Sequence, residues 1–325
     1  MCGICGIWNL NGRPATADEI RAMADMLAHR GPDAEGYYLD GPLALGHRRL
    51  AILDLTPTGN QPMGYANGRN WITYNGEIYN FLELRAELEQ KGYAFRSGSD
   101  TEVILAAYAA WGPECVLRFN GMWAFAIWDS LERRLFLARD RFGIKPLYYL
   151  HESDRFAFAS EMKAFLRLAG FTPRANLRVL KAELLDVHSQ EWGEDCLLIG
   201  IRRLPPGCYL QVGADGQIRT HKWWCTRDHL PDVPARFDDH VEHFRLLFED
   251  ACRLRLRSDV PIATCLSGGI DSSSVVCTLA EVAKQGTARI APAWQRAFIA
   301  SFPGAPRSMN ASLQRRLCRK QASCL

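Results

Sequence analysis

Between residues 3 and 149, short apolar runs alternate with stretches in which apolar residues recur every three or four positions, as in strands interleaved with amphipathic helices. Residues 44–47, 71–74, 123–128 and 134–138 read as strands, the last two as a hairpin across the polar stretch 129–133. Helices are predicted at 17–29, 80–91 and 101–111, with Asp100 as the N-cap of the third. After Trp223-Trp224-Cys225 the character changes, and the polar, proline-bearing stretch 226–236 reads as an interdomain linker. Beyond it come an amphipathic helix at 238–256 with a basic end (Arg253, Arg255, Arg257), a strand at 260–266, the turn Ser267-Gly268-Gly269-Ile270-Asp271-Ser272-Ser273 and a helix at 274–284. Strand, glycine turn and helix in that order open a nucleotide-binding α/β domain.

Composition adds bounds to this picture. A chain of 325 residues has room for two domains of ordinary size. Its net charge of +3 is small and its basic residues are dispersed, which argues against nucleic acid or an anionic membrane as partner and favours small polar substrates. No apolar run approaches the ~18 residues of a membrane span, and no basic segment followed by a long hydrophobic stretch opens the chain, so a cytoplasmic protein is expected. Eleven cysteines, an odd count, argue for reduced thiols over a disulfide scaffold; Cys115, Cys208, Cys252, Cys265 and Cys277 are expected to fill cores.

Two places carry candidate chemistry. Removal of Met1 would make Cys2 the N-terminus, joining a thiol nucleophile to an α-amine whose ordinary pKa of ~7.7–8.0 lets it accept a proton near neutrality. Cys2-x-x-Cys5 is equally a redox pair, half a zinc site or two small buried hydrophobes. The turn 267–273 can wrap a phosphate with backbone N–H groups, hydroxyls and the positive end of the next helix, although its spacing is not that of a Walker loop. Asp271 beside a phosphate makes sense if magnesium bridges the two; an ordinary glycine-rich turn is the plainer alternative.

Together Cys2-Gly3-Ile4 and Ser267-Gly268-Gly269-Ile270-Asp271-Ser272 resemble glutamine-hydrolysing asparagine synthetases, class II amidotransferases with an N-terminal nucleophile. Further segments match that family in order: from His29 to Asp33, Arg49 to Asp54, Tyr74 to Asn80, Ser97 to Glu102, Gly121 to Ala126, Arg139 to Tyr149 and Ser160 to Ala164. The resemblance implies a glutaminase domain over 1–225, built as two antiparallel sheets packed face to face between helical layers. A linker at 226–236 and the start of an α/β ATP pyrophosphatase domain at 237–306 would follow. It assigns Cys2 to attack the glutamine amide, with an oxyanion hole from the Asn75 side chain and the Gly76 N–H, a pair that also reads as a turn with an Asx bond. Arg49 would grip the substrate carboxylate in a bidentate pair, Glu77 and Asp100 its ammonium, and backbone around Leu50, Ile52 and Leu53 would line the pocket. Leu266, Ser267, Gly268, Gly269, Asp271, Ser272 and Ala300 would bind ATP, with Asp271 helping to hold Mg2+. Ammonia from glutamine would displace AMP from adenylated aspartate along a route sheltered from water. A homodimer is left open.

The chain departs from this family near its end. A second ATP/magnesium motif and a catalytic lysine have no counterpart, and residues 307–325 are basic and without period. The shifted frame across Met309-Asn310 must encode glutamate, and Leu-Asp-Glu, common in relatives after this Pro-Gly, is readable there; residues 307–325 are therefore expected to be a frameshifted, non-native tail. A sheet started with two strands leaves edges and an apolar face open, so residues beyond about 237 are expected to be marginal and prone to aggregate. The expected activity of this chain is glutamine hydrolysis alone. Alternatives are an amidotransferase for another carboxylate and a non-catalytic glutamine-binding or interaction remnant.

Overall fold

The computed structural model describes residues 1–186, 193–286, 289–292 and 294–299, and the chain parts into two compact units between Leu230 and Pro231. In the first unit one antiparallel sheet contains β1 (Gly3–Asn9), β2 (Ala34–Asp40), β3 (Leu43–Arg49), β8 (Tyr148–His151), β9 (Arg155–Ala159) and β10 (Ile201–Arg203), in the order β10-β8-β9-β1-β3-β2. The other contains β4 (Met63–Tyr65), β5 (Asn70–Ile78), β6 (Gly121–Asp129), β7 (Arg134–Arg139), β11 (Cys208–Val212) and β12 (Ile218–Lys222), in the order β12-β11-β7-β6-β5-β4.

Strand alternation sorts the apolar residues into layers. From β1, Ile4 and Trp8 enter the core between the sheets with Leu45, Trp128, Leu137, Phe156 and Phe158, while Cys5 and Ile7 face outward onto Ile20 and Met23 of α1 (Ala17–Asp25). On the other side α2 (Phe81–Gln90) and α3 (Asp100–Trp111) cover Ile72, Ile78, Phe125 and Phe136. The result is the four-layered helix–sheet–sheet–helix sandwich expected from the sequence. Both faces of each central strand are covered, which is why β1 and β6 read as near-continuous apolar runs.

Three elements differ in detail. The helix predicted at 17–29 stops as α1 at Asp25 and resumes as a 3-10 turn, Ala28–Arg30, which ends where Pro32 disfavours helical geometry at Gly31. Ser99, not Asp100, caps α3: the Ser99 hydroxyl accepts from the Thr101 N–H, and Asp100 is the first helical residue, its carboxylate free for other partners. Asn75 and Gly76 lie within β5 and form no turn.

Polar ties register the two sheets. Thr73 Oγ1 of β5 donates to the Gly46 carbonyl of β3 (3.1 Å), and the fully buried His47 donates from Nε2 to the Tyr74 carbonyl (3.1 Å), leaving Nδ1 without a partner. Burial, only partly opposed by the bond to Tyr74, lowers the His47 pKa from 6.5 to about 4. Below pH 6.5 the unfolded chain takes a proton that the native state refuses, so this residue contributes a loss of stability as pH falls from 6.5 to about 4. His47→Gln is expected to flatten that limb while lowering stability at neutral pH, as measured by urea midpoints between pH 7 and pH 4.

The second unit has α5 (Phe237–Arg255), β13 (Ile262–Cys265), α6 (Ile270–Lys284) and β14 (Gln295–Phe298), with β13 and β14 parallel; α4 (Leu177–Leu185) belongs to the first. Its buried core is small, Cys252, Leu256, Leu279 and Val282, while Phe237, Phe244, Leu247 and Phe298 are exposed. Cys265 and Cys277, expected in a core, are exposed; among the described residues few elements pack against β13 and α6. Ala300 and residues 307–325 lie outside the described residues.

Candidate active site

Cys2 precedes β1, and the β1–β3 register, which pairs Gly3 with Arg48, sets it beside the exit of β3. The Leu50 N–H donates to Cys2 Sγ (3.4 Å) and the thiol donates to the Leu50 carbonyl (3.5 Å). The Arg30 Nε donates to the Cys2 carbonyl (2.9 Å), holding the residue from behind, and Arg30 Nη1 pairs with Glu161 (2.7 Å). Cys5 points to the opposite face of β1, into the α1 layer, so Cys2 and Cys5 are two free thiols in different layers and form no redox pair. Among the described residues no cluster of three metal-ligating side chains exists.

Sγ opens into a cavity of about 140 Å³, many times the ~10–15 Å³ that one water needs. Arg49, Leu50, Ile52, Leu53, Asn75, Gly76, Glu77 and Asp100 all line it with Cys2. The structure therefore gathers every glutamine-site residue expected from the sequence into one cavity, from the residue before β1, the end of β3 and the loop after it, β5 and the start of α3.

The β5 strand decides what points where. Tyr74 and Ile78 turn their side chains outward to α3, so Asn75 turns inward. The residue is 1% exposed, and neither Nδ2 nor Oδ1 has a hydrogen-bond partner among the described residues. A buried orphan amide costs roughly 1–3 kcal/mol, a cost that a ligand accepting from Nδ2 would relieve. Two residues on either side of Gly76, the N–H groups of Tyr74 and Ile78 leave the sheet edge for Gln61 Oε1 (2.7 Å) and Asp100 Oδ2 (2.9 Å). Alternation aims the Gly76 N–H the same way, into the cavity. Residue 76 must lack a side chain, since a Cβ there would stand 2.3 Å from the Met122 carbonyl oxygen. Asn75 Nδ2–H and Gly76 N–H thus converge beside a thiol, an arrangement able to stabilise an oxyanion.

Burial, offset only in part by the Leu50 N–H, raises the Cys2 thiol, which is therefore protonated at neutrality and needs a base. Asp100 is also raised by burial, and its Oδ2 is held by Tyr74 Oη (2.8 Å) and the Ile78 N–H. Arg49 departs from expectation. Its four terminal N–H groups already donate to the Thr56 carbonyl (2.9 Å), Asn60 Oδ1 (2.8 Å), the Leu53 carbonyl (3.2 Å) and the Asp54 carbonyl, folding the loop 53–60 around itself. The bidentate carboxylate grip is not available in this arrangement, although the charge still lines the cavity.

Several contributors carried no assigned role in the sequence. Gln61, Tyr74, Ser99, Thr101, Met122 and Lys145 share the cavity, and Arg30 with Glu161 anchors Cys2 from behind. All but Gln61 fall within the quoted family-like segments, but nothing in residue type alone set them apart. Burial alone would raise the Glu161 carboxyl, yet hydrogen bonds from Arg30, Lys163 (3.1 Å) and His29 (2.9 Å) hold it down at about 2. This stabilisation is complete above the ordinary value of 4.5 and is lost as pH falls through about 2. The stability difference between the wild type and Glu161→Gln is expected to be widest above pH ~5 and to close toward pH ~2 in urea titrations.

Residues 1–224 match the glutamine amidotransferase domain. The chain belongs to the glutamine amidotransferase family. Residues 243–321 match asparagine synthase, and that match runs into the stretch expected to be non-native. The chain is 39% identical over 286 residues to asparagine synthetase [glutamine-hydrolyzing] 1 of Bacillus subtilis (strain 168), covering 86% of the chain and 44% of that protein. It is 35% identical over 303 residues to amidase chry2 of Gibberella zeae, covering 88% of the chain and 44% of that protein. The chain spans less than half the length of both relatives. In fold it is similar to glutamine phosphoribosylpyrophosphate amidotransferase from B. subtilis (TM-score 0.51, 19% identity, 96% of this chain and 70% of that one).

In the second unit the turn after β13 has Gly268 at φ +84°, a conformation that disfavours side chains. The Ser267 and Ser272 hydroxyls meet at 3.1 Å, and α6 starts without a side-chain cap, leaving its first N–H groups open to an anion. The buried Ser273 hydroxyl has no partner among the described residues. These features suit a phosphate group, and Asp271, exposed in the first turn, is placed to reach a cation held mainly by phosphate oxygens and water.

Proposed function

We propose that the first unit hydrolyses glutamine at Cys2 and that the ammonia serves to amidate a carboxylate. The observation that carries this is the buried, unpartnered Asn75 amide in the same cavity as the Cys2 thiol. With Met1 removed, the neutral α-amine takes the Sγ proton as sulfur bonds to the glutamine side-chain carbonyl carbon. The oxygen, now carrying the charge, accepts from Asn75 Nδ2–H and Gly76 N–H. The amine returns the proton to the amide nitrogen as the C–N bond breaks, releasing ammonia and leaving a γ-glutamyl thioester. Water adds with its proton passing to the amine; the C–S bond then breaks, the proton returns to sulfur and glutamate leaves. Glu77 and Asp100 bring negative charge to the substrate ammonium and Arg49 positive charge to its carboxylate.

The second unit is proposed to bind ATP through Leu266, Ser267, Gly268, Gly269 and Ser272, with Asp271 toward Mg2+. Ala300, proposed with them, lies outside the described residues. When bound, ATP supplies the adenylate that activates the acceptor carboxylate. Aspartate as acceptor follows from the similarity to asparagine synthetases; the similarity to an amidase supports other carboxylates as a second reading. Domain limits of 1–225, 226–236 and 237–306 are proposed with this function, as is the retention of glutaminase alone.

The test measures ammonia release from glutamine by the full chain, with mass spectrometry to establish loss of Met1, followed by asparagine formation with aspartate and ATP. Ammonia without asparagine supports the reading, asparagine formation would overturn its glutaminase-only clause, and absence of ammonia release would overturn the reading itself.

A further inference from the structure

Lys145 is 4% exposed, and it lines the same cavity as Cys2, Asn75, Gly76 and Glu77. Lysine is rarely buried to this extent, because an ammonium loses its hydration there. The loop that carries it is built around it. The Lys145 N–H donates to Asp140 Oδ2 (3.0 Å) and its carbonyl accepts from Arg139 Nε (2.8 Å), so the backbone is held on both sides. Asp140 also accepts from the N–H groups of Phe142 (3.0 Å), Ile144 (3.0 Å) and Trp123 (3.1 Å), and Arg139 donates to the carbonyls of Gly143 (2.6 Å) and Leu204 (2.7 Å). Trp123 is the β6 residue opposite Gly76. One carboxylate therefore locks the Lys145 loop to the strand that backs the oxyanion donors.

We infer that Lys145 is a positioning residue of this site, whose ammonium keeps the Cys2 α-amine in its neutral, proton-accepting form and favours negative charge on the adjacent sulfur. The inference rests on the glutaminase reading and deepens it. Titratable groups that act on the ammonium are Glu77 from β5, Cys2 and the chain terminus, Arg30 from the 3-10 turn and Asp140 from its own loop. Burial lowers the Lys145 pKa while Glu77 and Cys2 raise it. At the Met1 amine, one residue before Cys2, burial lowers the pKa, Cys2 and Glu77 oppose this, and Lys145 and Arg30 add to the lowering, so the Lys145 charge reaches the end of the chain that removal of Met1 would leave to Cys2. At the thiol itself the Leu50 N–H, the chain terminus and Arg49 act in the same direction as a nearby ammonium, and Asp100 opposes them.

The experiment compares the full chain, with Met1 removed, as wild type, Lys145→Met, Lys145→Gln and Lys145→Arg. In kcat/KM for glutamine against pH, the acid limb is expected to move up by about one unit in the Met and Gln variants and to stay near its wild-type position in Arg. Alkylation of Cys2 by iodoacetamide should shift to higher pH in the same two variants. A loss of activity with no movement of either profile would overturn the inference and leave Lys145 a packing residue. Absence of ammonia release by the wild type would overturn the glutaminase reading instead. The alkylation profile would then decide this inference alone, a shift supporting it and an unmoved profile overturning it. If the Met variant does not fold, the Gln variant gives the same two readouts.

Discussion

Cys2→Ala is expected to lower kcat for glutamine hydrolysis by at least ~10³-fold, since deleting a nucleophile that acts in concert with its base removes most of the catalysis at once. Glutamine binding should survive, because the charges proposed to hold its ends belong to Arg49, Glu77 and Asp100. Far-UV circular dichroism should be unchanged, as Cys2 precedes β1 and contributes to none of the core clusters. Ammonia release measured with purified protein, beside a binding titration with glutamine, checks both halves. Residual hydrolysis near the wild-type rate would refute the nucleophile assignment, since Cys5 lies outward beneath α1 and offers no substitute.

Asn75→Ala is the second large effect expected: a fall in kcat of ~10²–10³-fold with KM little changed, as found when one oxyanion donor is removed. The wild-type amide stands buried without a partner in the free protein, so alanine removes an unsatisfied polar group and native stability should hold or rise slightly. A coupled loss of kcat and of thermal stability would instead mark Asn75 as a structural residue of β5. The pairing of an activity assay with a melting curve separates these outcomes.

Legibility differed between fold and site for physical reasons. The central strands were visible because each is covered on both faces, which leaves continuous apolar runs at β6 and β7. The Asp100 cap was misplaced because a serine and an aspartate adjoin there and either side chain can cap; the structure gives the cap to Ser99 and leaves Asp100 to Tyr74 and Ile78. The Asn75-Gly76 dipeptide favours turns locally, yet tertiary pairing with β6 holds it extended. Arg49 was assigned by its charge, which sequence displays, whereas its engagement by loop 53–60 depends on contacts that sequence does not. Cys265 and Cys277 were expected in a core, but the small second unit covers only part of their elements.

By itself, then, the sequence determined the layered sandwich, the two-unit organisation, the family and the residue types at the candidate site, because hydrophobic period and motif identity are written along the chain. Tertiary structure alone decided that Cys2 and Cys5 lie in different layers, that Asn75 points inward unpartnered, and that Lys145 shares the cavity with the thiol. These are matters of register and burial between residues far apart in sequence. Alternation assigns a residue to one side of a strand, but only the packing of β1, β3 and β5 decides what stands across from it.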